Sequence, residues 1–117
     1  MTFPHDLRVL GCGGRDYNDA ARVFEILDRI DPTVVCHGGA RGADYLIGLW
    51  AASSDTPCTV FPADWRAFGR RAGVMRNKIM LDEFEPDLVV AFPGGRGTES
   101  MMTLARAAKV KILQVTG

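Results

Sequence analysis

The chain has little of what marks an exported, membrane-spanning or metal-binding protein. Its 117 residues include three cysteines, Cys12, Cys36 and Cys58, which form no Cys-x-x-Cys pair, so neither a disulfide framework nor a zinc site is expected. Cys12, Cys36 and His37 would be a conceivable metal set, but they lack ligand spacing. No apolar run approaches the ~18 residues that span a bilayer, and residues 1–10 lack the pattern of a signal peptide. We therefore expect a cytoplasmic protein with no metal and no membrane contact.

An excess of charge of one sign is also missing. Basic and acidic residues number 14 each, so the formal net charge is zero, which argues against a general nucleic-acid binder that neutralises phosphates. One stretch departs from this balance, because no acidic residue lies between Asp64 and Asp82. The basic residues within it are Arg66, Arg70, Arg71, Arg76 and Lys78. At this length the chain is expected to form a single domain over residues 1–117.

What the chain does have is a regular alternation of apolar runs and helical segments. Runs at about 8–11, 33–36, 58–62, 88–92 and 111–115 predict five strands. Because no short hairpin turn joins them, the strands are expected to be parallel, with right-handed crossover helices on both faces of the sheet. We predict a three-layer, Rossmann-like α/β domain with a five-stranded parallel sheet in the order 3-2-1-4-5.

The helices between these strands are predicted from apolar stripes and capping residues. Asn18 is the expected N-cap of the first helix, and Thr98 is the expected N-cap of the last. The third helix is expected over about 69–83, with Ala72, Met75 and Ile79 as its apolar stripe.

Three of the predicted strands lead into similar loops. The segments "LRVLGCGG", "HGGARGAD" and "LVVAFPGGRG" each contain a Gly-Gly pair behind an apolar run, and Arg15, Arg41 or Arg96 follows within two residues. The carboxyl ends of parallel strands meet at one edge, where open α/β sheets bind ligands. Glycine amides and helix N-termini at that edge suit phosphate. Since "GCGGRD" lacks the third glycine of the dinucleotide fingerprint and no GxxxxGK[ST] occurs, we expect neither a standard NAD site nor a P-loop, and no cofactor.

The expected site is therefore an anion pocket formed by these loops. The candidate ligand contacts are Gly13, Gly14, Arg15, Tyr17, Gly38, Gly39, Arg41, Gly42, Asp44, Trp65, Arg76, Asn77, Pro93, Gly94, Gly95, Arg96, Gly97 and Thr98. One or two of the loop arginines could instead pair with Asp16 or Asp44 across the loops. Tyr17 and Trp65 either stack on a base or pack at the core or rim. His37 either contacts the ligand or serves as a structural histidine.

Four motifs in order give the chain a family resemblance. "GCGGRDY", "HGGARGAD", "PADW" followed by "AGVMRNKIM", and "PGGRGT" together resemble the SLOG superfamily (SMF/DprA–LOG), most closely its small YspA-type, YpsA-related proteins. The resemblance extends over almost the whole chain. It implies a Rossmann-like fold that binds a nucleotide or nucleotide-derived ligand, and a homodimer or higher homo-oligomer.

The best-characterised relatives that the resemblance implies are the lonely-guy phosphoribohydrolases, which cleave the base–ribose bond of cytokinin nucleotide monophosphates. Their signature is PGGxGTxxE, with an Arg-Lys pair on the preceding helix. Arg76 lies where that Arg is implied, but Asn77 replaces the Lys and Met101 replaces the signature Glu. Glycosidic cleavage through an oxocarbenium-like state needs a carboxylate. The candidates for that carboxylate are Asp16, Asp44 and Glu99. The resemblance adds Arg76 as a further catalytic candidate, which would orient the phosphate.

Three functions are compatible with this sequence. The favoured one is binding of a nucleotide or nucleotide-derived ligand at the carboxyl edge of the sheet, as in a sensor. The second is an enzyme that cleaves the N-glycosidic bond of a nucleoside monophosphate. The third is an oligomeric interaction module that binds no ligand, with its glycine-rich loops serving only the fold.

Overall fold

A computed structural model describes residues 6–117 as alternating strands and helices. Residues 1–5, on which the expectation about a signal peptide partly rests, lie outside the described range. The strands are β1 (Arg8–Cys12), β2 (Val34–His37), β3 (Cys58–Val60), β4 (Leu88–Ala91) and β5 (Lys111–Gln114). The helices are α1 (Ala20–Ile30), α2 (Ala43–Ser53), the short α3 (Trp65–Phe68), α4 (Ala72–Phe84) and α5 (Arg96–Ala107), with a 3-10 turn at Gly69–Arg71.

The strands form one parallel sheet in the order β3-β2-β1-β4-β5, which confirms the predicted topology. The central strand β1 pairs with β2 and with β4, so that Leu10 lies opposite both Cys36 and Val89. The chain runs outward from β1 to β3 and then returns to β4 on the other side. This reversal creates the crevice between β1 and β4 at which open α/β sheets usually bind ligands.

The core lies on both faces of the sheet. Because side chains alternate along a strand, Val9 of β1 packs with Leu27 of α1 and Ile47 of α2 on one face, whereas Leu10 packs with Met80 of α4 and Met101 of α5 on the other. These side chains are fully or almost fully buried. The two layers of helices around the sheet confirm the three-layer, Rossmann-like architecture.

Both predicted helix caps were wrong, each for a local reason. Helix α1 begins at Ala20, and Asp19 is its N-cap because its carboxylate accepts a hydrogen bond of 3.0 Å from the Arg22 N–H. Helix α5 begins two residues before Thr98, with Gly95 at the N-cap position. Thr98 consequently lies inside the helix and is buried.

The predicted third helix is interrupted, and its predicted stripe was partly wrong. Gly69 adopts a φ of 56°, which breaks the right-handed helical path and separates α3 from α4. In α4 the buried face carries Asn77, Met80 and Phe84, while Ile79 is exposed. The apolar pattern failed here because a polar residue occupies the buried face. Within residues 6–117 no helix combines the length and hydropathy needed to cross a bilayer.

Candidate functional site

The glycine-rich loops after β1, β2 and β4 converge on one large cavity at the carboxyl edge of the sheet. The cavity has a volume of about 950 Å³, which is in the upper range for small-molecule sites. It brings together most of the predicted site residues, namely Gly13, Gly14, Arg15, Asp16, Tyr17, Gly38, Asp44, Trp65, Arg76, Asn77, Pro93, Gly94, Gly95, Arg96, Gly97 and Thr98.

A smaller cavity of about 430 Å³ adjoins the large one. It includes two predicted contacts that the large cavity lacks, Gly39 and Arg41, together with Pro62 and Ala63 of the loop after β3. The lining residues that the two cavities share are Arg15, Gly38, Ala40, Trp65 and Arg76. Of the predicted site residues, Gly42 and Glu99 line neither cavity.

Several of the loop glycines are occupied in packing the loops against one another. The Gly14 N–H donates to the Pro93 carbonyl at 2.9 Å, and the Ala43 N–H donates to the Gly14 carbonyl at 3.0 Å. Gly42 has a φ of 78°, and a Cβ there would collide with the carbonyl oxygens of Gly14 and Arg15. Glycine at these positions therefore lets three loops pack together, and Gly42, a predicted contact, has this packing role without lining either cavity.

The N-terminus of α5 is the open part of the glycine-rich rim. A Cβ added at Gly95 or Gly97 would have no atom within 4 Å. The N-cap Gly95 offers no side chain, and the first hydrogen bond of the helix runs from the Glu99 N–H to the Gly95 carbonyl at 3.0 Å. The preceding N–H groups thus have no acceptor within the helix, and such groups attract anions.

Arg76 lines both cavities, and most of its hydrogen-bonding capacity is used within the protein. Its Nη1 donates to the Gly38 carbonyl at 2.6 Å and to the Phe61 carbonyl at 3.3 Å, and its Nε donates to Asn77 Oδ1 at 3.0 Å. Burial lowers the pKa of Arg76, while the nearby Asp44 acts in the opposite direction. Arg76, a predicted ligand contact and catalytic candidate, is thus first a brace between loops, and only its Nη2 has no hydrogen-bond partner among residues 6–117.

Asn77 connects that brace to the open N-terminus of α5. It is buried, with 5% of its surface exposed, and its Nδ2 donates to the Gly97 carbonyl at 3.3 Å. Its Oδ1 accepts from Arg76, and Arg76 in turn donates to the loop after β2. Asn77 and Arg76 together therefore connect the loop after β2 to the first turn of α5, so that Asn77 supports the wall of the cavity.

Asp44 is the buried carboxylate of the large cavity. Its side chain is 6% exposed, and its Oδ2 accepts the Ala40 N–H at 3.1 Å. Burial raises its pKa, against the opposing effects of the Ala40 N–H, His37 and Arg76. The same burial lowers the pKa of His37, whose Nδ1 accepts the Gly39 N–H at 2.9 Å. His37 lines neither cavity, which fits its structural role.

The two loop arginines on this side have partners in the protein. Arg41 forms an ion pair with Asp16 at 3.3 Å, with both side chains exposed, so one of the expected pairings across the loops occurs. The guanidinium of Arg15 lies 5.4 Å from the ring centre of Trp65, within cation–π range. Trp65 is 49% exposed, so much of its ring is open to contact with a ligand.

Tyr17 is held mainly by the core. Its ring stacks on Phe92 with a centroid distance of 5.6 Å and packs against the cluster formed by α1 and α2. Its hydroxyl oxygen is buried and has no hydrogen-bond partner among residues 6–117. Burial raises the pKa of the phenol, and Asp19 adds to this effect. Packing therefore accounts for Tyr17 better than base stacking, although part of it lines the large cavity.

The residue at the signature Glu position lies away from the cavity. Met101 lies on the buried face of α5, where it is fully enclosed in the core and lines neither cavity. Glu99 is exposed in the first turn of α5, where a carboxylate suits the helix dipole. Of the candidate carboxylates, only Asp16 at the rim and the buried Asp44 reach the large cavity.

Sequence reasoning missed several lining residues. They are Gly11, Cys12, Ala40, Arg70, Gly73, Val74, Met80 and Ser100 of the large cavity, and Pro62 and Ala63 of the smaller one. Gly73, Asn77 and Met80 recur at helical spacing on α4. Their shared face, which suggests either a support for the pocket or a dimer contact, lines the large cavity. Burial raises the pKa of the Cys12 thiol to about 12. Among residues 6–117 no three His, Cys, Asp or Glu side chains cluster closely enough to hold a metal ion.

The fold and the cavity together define a Rossmann-like α/β domain with a glycine-rich pocket at the carboxyl edge of its sheet. Within that class the chain belongs to the YspA, cpYpsA-related SLOG family (YAcAr), whose model matches residues 7–68, more than half of the chain. It is also similar to the Gene 61 protein of Mycobacterium phage D29, with 37% identity over 119 aligned residues that cover 91% of this chain and 94% of that protein.

Among solved structures, the chain is similar to the C-terminal domain of a hydrogenase from Pyrococcus furiosus. The TM-score is 0.55 at 15% sequence identity, and the match covers 97% of this chain and 96% of that domain. At this level of identity the likeness concerns the fold alone.

Proposed function

We propose that the protein binds a nucleotide or a nucleotide-derived ligand in the large cavity. The observation that carries this proposal is the convergence of three glycine-rich strand ends on a cavity of about 950 Å³, beside the open N-terminus of α5. Membership of the SLOG family supports the same class of ligand. A phosphate needs N–H donors and positive charge, and this rim offers both.

The phosphate is assigned to the first turn of α5. The N–H groups of that turn, which have no acceptor within the helix, lie beside Arg96, which lines the cavity and is exposed. Nη2 of Arg76 adds a second guanidinium donor to the lining of the same cavity. Thr98 lines the same end and is 5% exposed, so its side chain shapes the pocket from inside the helix.

The remainder of the ligand is assigned to the space between α4 and the loop after β1. Trp65 offers an exposed ring on which a base can stack, a contact worth about 1–3 kcal/mol in nucleic-acid complexes. The buried Asp44 and the carbonyl groups of the loops provide acceptors for ribose hydroxyls or base amino groups. Because Met101 lies in the core, binding without cleavage, as in a sensor, agrees best with the site.

Calorimetric titration tests this proposal. The panel consists of nucleoside monophosphates, cyclic nucleotides, ADP-ribose and NAD, and at least one is expected to bind. Arg96→Ala removes a charged donor and should weaken binding about tenfold. Arg106→Ala, on the last turn of the same helix and outside both cavities, is the matched control and should bind as the wild type does. Silence of the whole panel at millimolar concentration would contradict the proposal.

A phosphoribohydrolase-like reaction is the second candidate, and one observation favours it. Asp44 is a buried carboxyl with a raised pKa in the cavity that Arg76 also lines, and such a group can act as a general acid. The test is release of free base from nucleoside monophosphates by the wild type and by Asp44→Asn. Release that survives the substitution, or no turnover at high enzyme concentration, would rule out this role for Asp44.

Subunit association, which the family resemblance implies, stays a prediction. We assign it to the apolar side chains exposed on α3 and α4, of which Phe68, Val74 and Ile79 are each more than 40% exposed. Light scattering coupled to size exclusion measures the mass directly. A monomer at all concentrations would contradict the prediction.

A further inference from the structure

The two cavities differ in the charge of their linings. The smaller cavity is lined by the guanidinium groups of Arg15, Arg41 and Arg76 and by no carboxylate. The large cavity also carries arginines, but Asp16 and Asp44 are among its lining residues. The smaller cavity is therefore the more strongly cationic of the two, which suits an anion.

The residues that line both cavities form a common wall between them. Arg15 and Trp65 line both and lie in contact through their cation–π pair. Arg76 also lines both, and its Nη1 is anchored on the Gly38 carbonyl. A ligand long enough to pass this wall would place one end at the N-terminus of α5 and the other beside Arg41.

Arg41 is available for such a contact. Among residues 6–117 its only ion pair is with Asp16, and the two side chains are 75% and 94% exposed. Exposed pairs of this kind contribute about 0–1 kcal/mol, so an anion that binds Arg41 displaces little. The backbone N–H groups of Gly38, Gly39 and Ala40 are engaged within the protein, those of Gly38 and Ala40 by Asp44 and that of Gly39 by His37. The donors that this cavity offers an anion are therefore its guanidinium groups.

We propose that the smaller cavity is a second anion subsite, so that the preferred ligand is a nucleotide derivative carrying two anionic groups separated along its length. This inference rests on the proposed function and narrows its ligand class. One group binds at the first turn of α5, and the other binds against Arg41 and Arg15. The nucleoside portion lies between them, against Trp65.

Paired titrations test the second subsite. The probes are nucleoside 5′-monophosphates, 5′-diphosphates and 3′,5′-bisphosphates, each with the four common bases. The bisphosphate is expected to bind about tenfold or more tightly than the monophosphate, as one added charged contact implies. The diphosphate, whose two phosphates are adjacent, should gain less. This comparison separates the position of the second phosphate from its charge.

Three substitutions at exposed positions complete the titration experiment. Arg41→Ala should abolish most of the bisphosphate advantage, and Asp16→Asn, which frees Arg41, should enlarge it. Arg96→Ala should weaken both probes by a similar factor, because Arg96 lines only the large cavity. All three positions are exposed, so the variants are expected to fold.

The outcomes distinguish the two proposals. A bisphosphate that binds no more tightly than the monophosphate, an equal gain with the diphosphate, or an advantage that survives Arg41→Ala overturns the second subsite and leaves mononucleotide binding in place. If the wild type binds none of these probes, the second subsite fails, and the proposed function fails with it only when cyclic nucleotides, ADP-ribose and NAD do not bind either.

Discussion

Two glycines of the PGGRGT segment should respond in opposite ways to the same substitution. Gly94 and Gly97 both become Ala, so each gains one methyl group. At Gly94 that methyl group would collide with Thr98 Oγ1 and would lie 2.6 Å from the Gly14 nitrogen. At Gly97, inside α5, it would meet no atom within 4 Å. The two variants therefore separate close packing from open rim within one motif.

The expected magnitudes follow from these contacts. Overpacking against backbone that cannot move away costs about 1–3 kcal/mol, so Gly94→Ala should be destabilised by that amount. Replacing glycine by alanine within a helix gains about 0.5 kcal/mol in a first turn, the lower end of the usual range. The free energies of unfolding should thus differ by about 1.5–3.5 kcal/mol. At roughly 4 °C per kcal/mol the melting temperatures should differ by roughly 6–14 °C.

Urea denaturation and thermal melting of the two variants and the wild type measure this difference. The two substitutions are identical in chemistry, so each variant is the control for the other. If Gly94→Ala proved as stable as Gly97→Ala, the loops after β1 and β4 would not pack as closely as the structure indicates. The account of these glycines as loop-packing residues would then be wrong.

Three other substitutions probe the interior of the site. Asp44→Asn should raise the free energy of unfolding at pH 8, because burial raises the folded-state pKa of Asp44 and its ionised form destabilises the fold. The gain in stability should shrink as the pH falls towards 5. Urea titrations at the two pH values measure the gain, and an equal gain at both would contradict the prediction. Arg76→Ala should lower the free energy of unfolding by about 2–3 kcal/mol, since the Gly38 carbonyl loses its donor. The control Arg70→Ala, at an exposed position, should change it by no more than about 0.5 kcal/mol. Equal effects of the two substitutions would refute the bracing role of Arg76. Tyr17→Phe should leave the free energy of unfolding unchanged or raise it by up to about 1 kcal/mol, because it removes a buried hydroxyl without a partner among residues 6–117. A clear loss of stability would show that the hydroxyl has a hydrogen-bond partner.

The topology could be predicted from sequence because it follows from general rules of chain connection. Alternating apolar runs and helical segments leave few arrangements for a five-stranded parallel sheet, and the order β3-β2-β1-β4-β5 was among them. The break at Gly69 was not predicted. A single glycine with positive φ leaves no trace in hydrophobic periodicity, and the polar Asn77 on the buried face of α4 obscured the stripe.

The site could be predicted in outline but not in its internal contacts. The loops bearing Arg15, Gly38 and Gly95 were expected to meet, and they do. The sequence could not show that a side chain at Gly42 would collide with the Gly14 carbonyl, because the two residues lie in loops distant in the chain. Nor could it show that Arg76 donates to two backbone carbonyls. These details depend on tertiary distances, which periodicity does not encode.

A crystal structure of the protein with its tightest-binding nucleotide would show whether the large cavity is the ligand site. We expect a phosphate within hydrogen-bond distance of the N–H groups in the first turn of α5, with the nucleoside in the large cavity between Trp65 and the loop after β1. A nucleotide bound elsewhere on the surface, or a cavity closed by the protein's own side chains in the presence of ligand, would contradict this expectation.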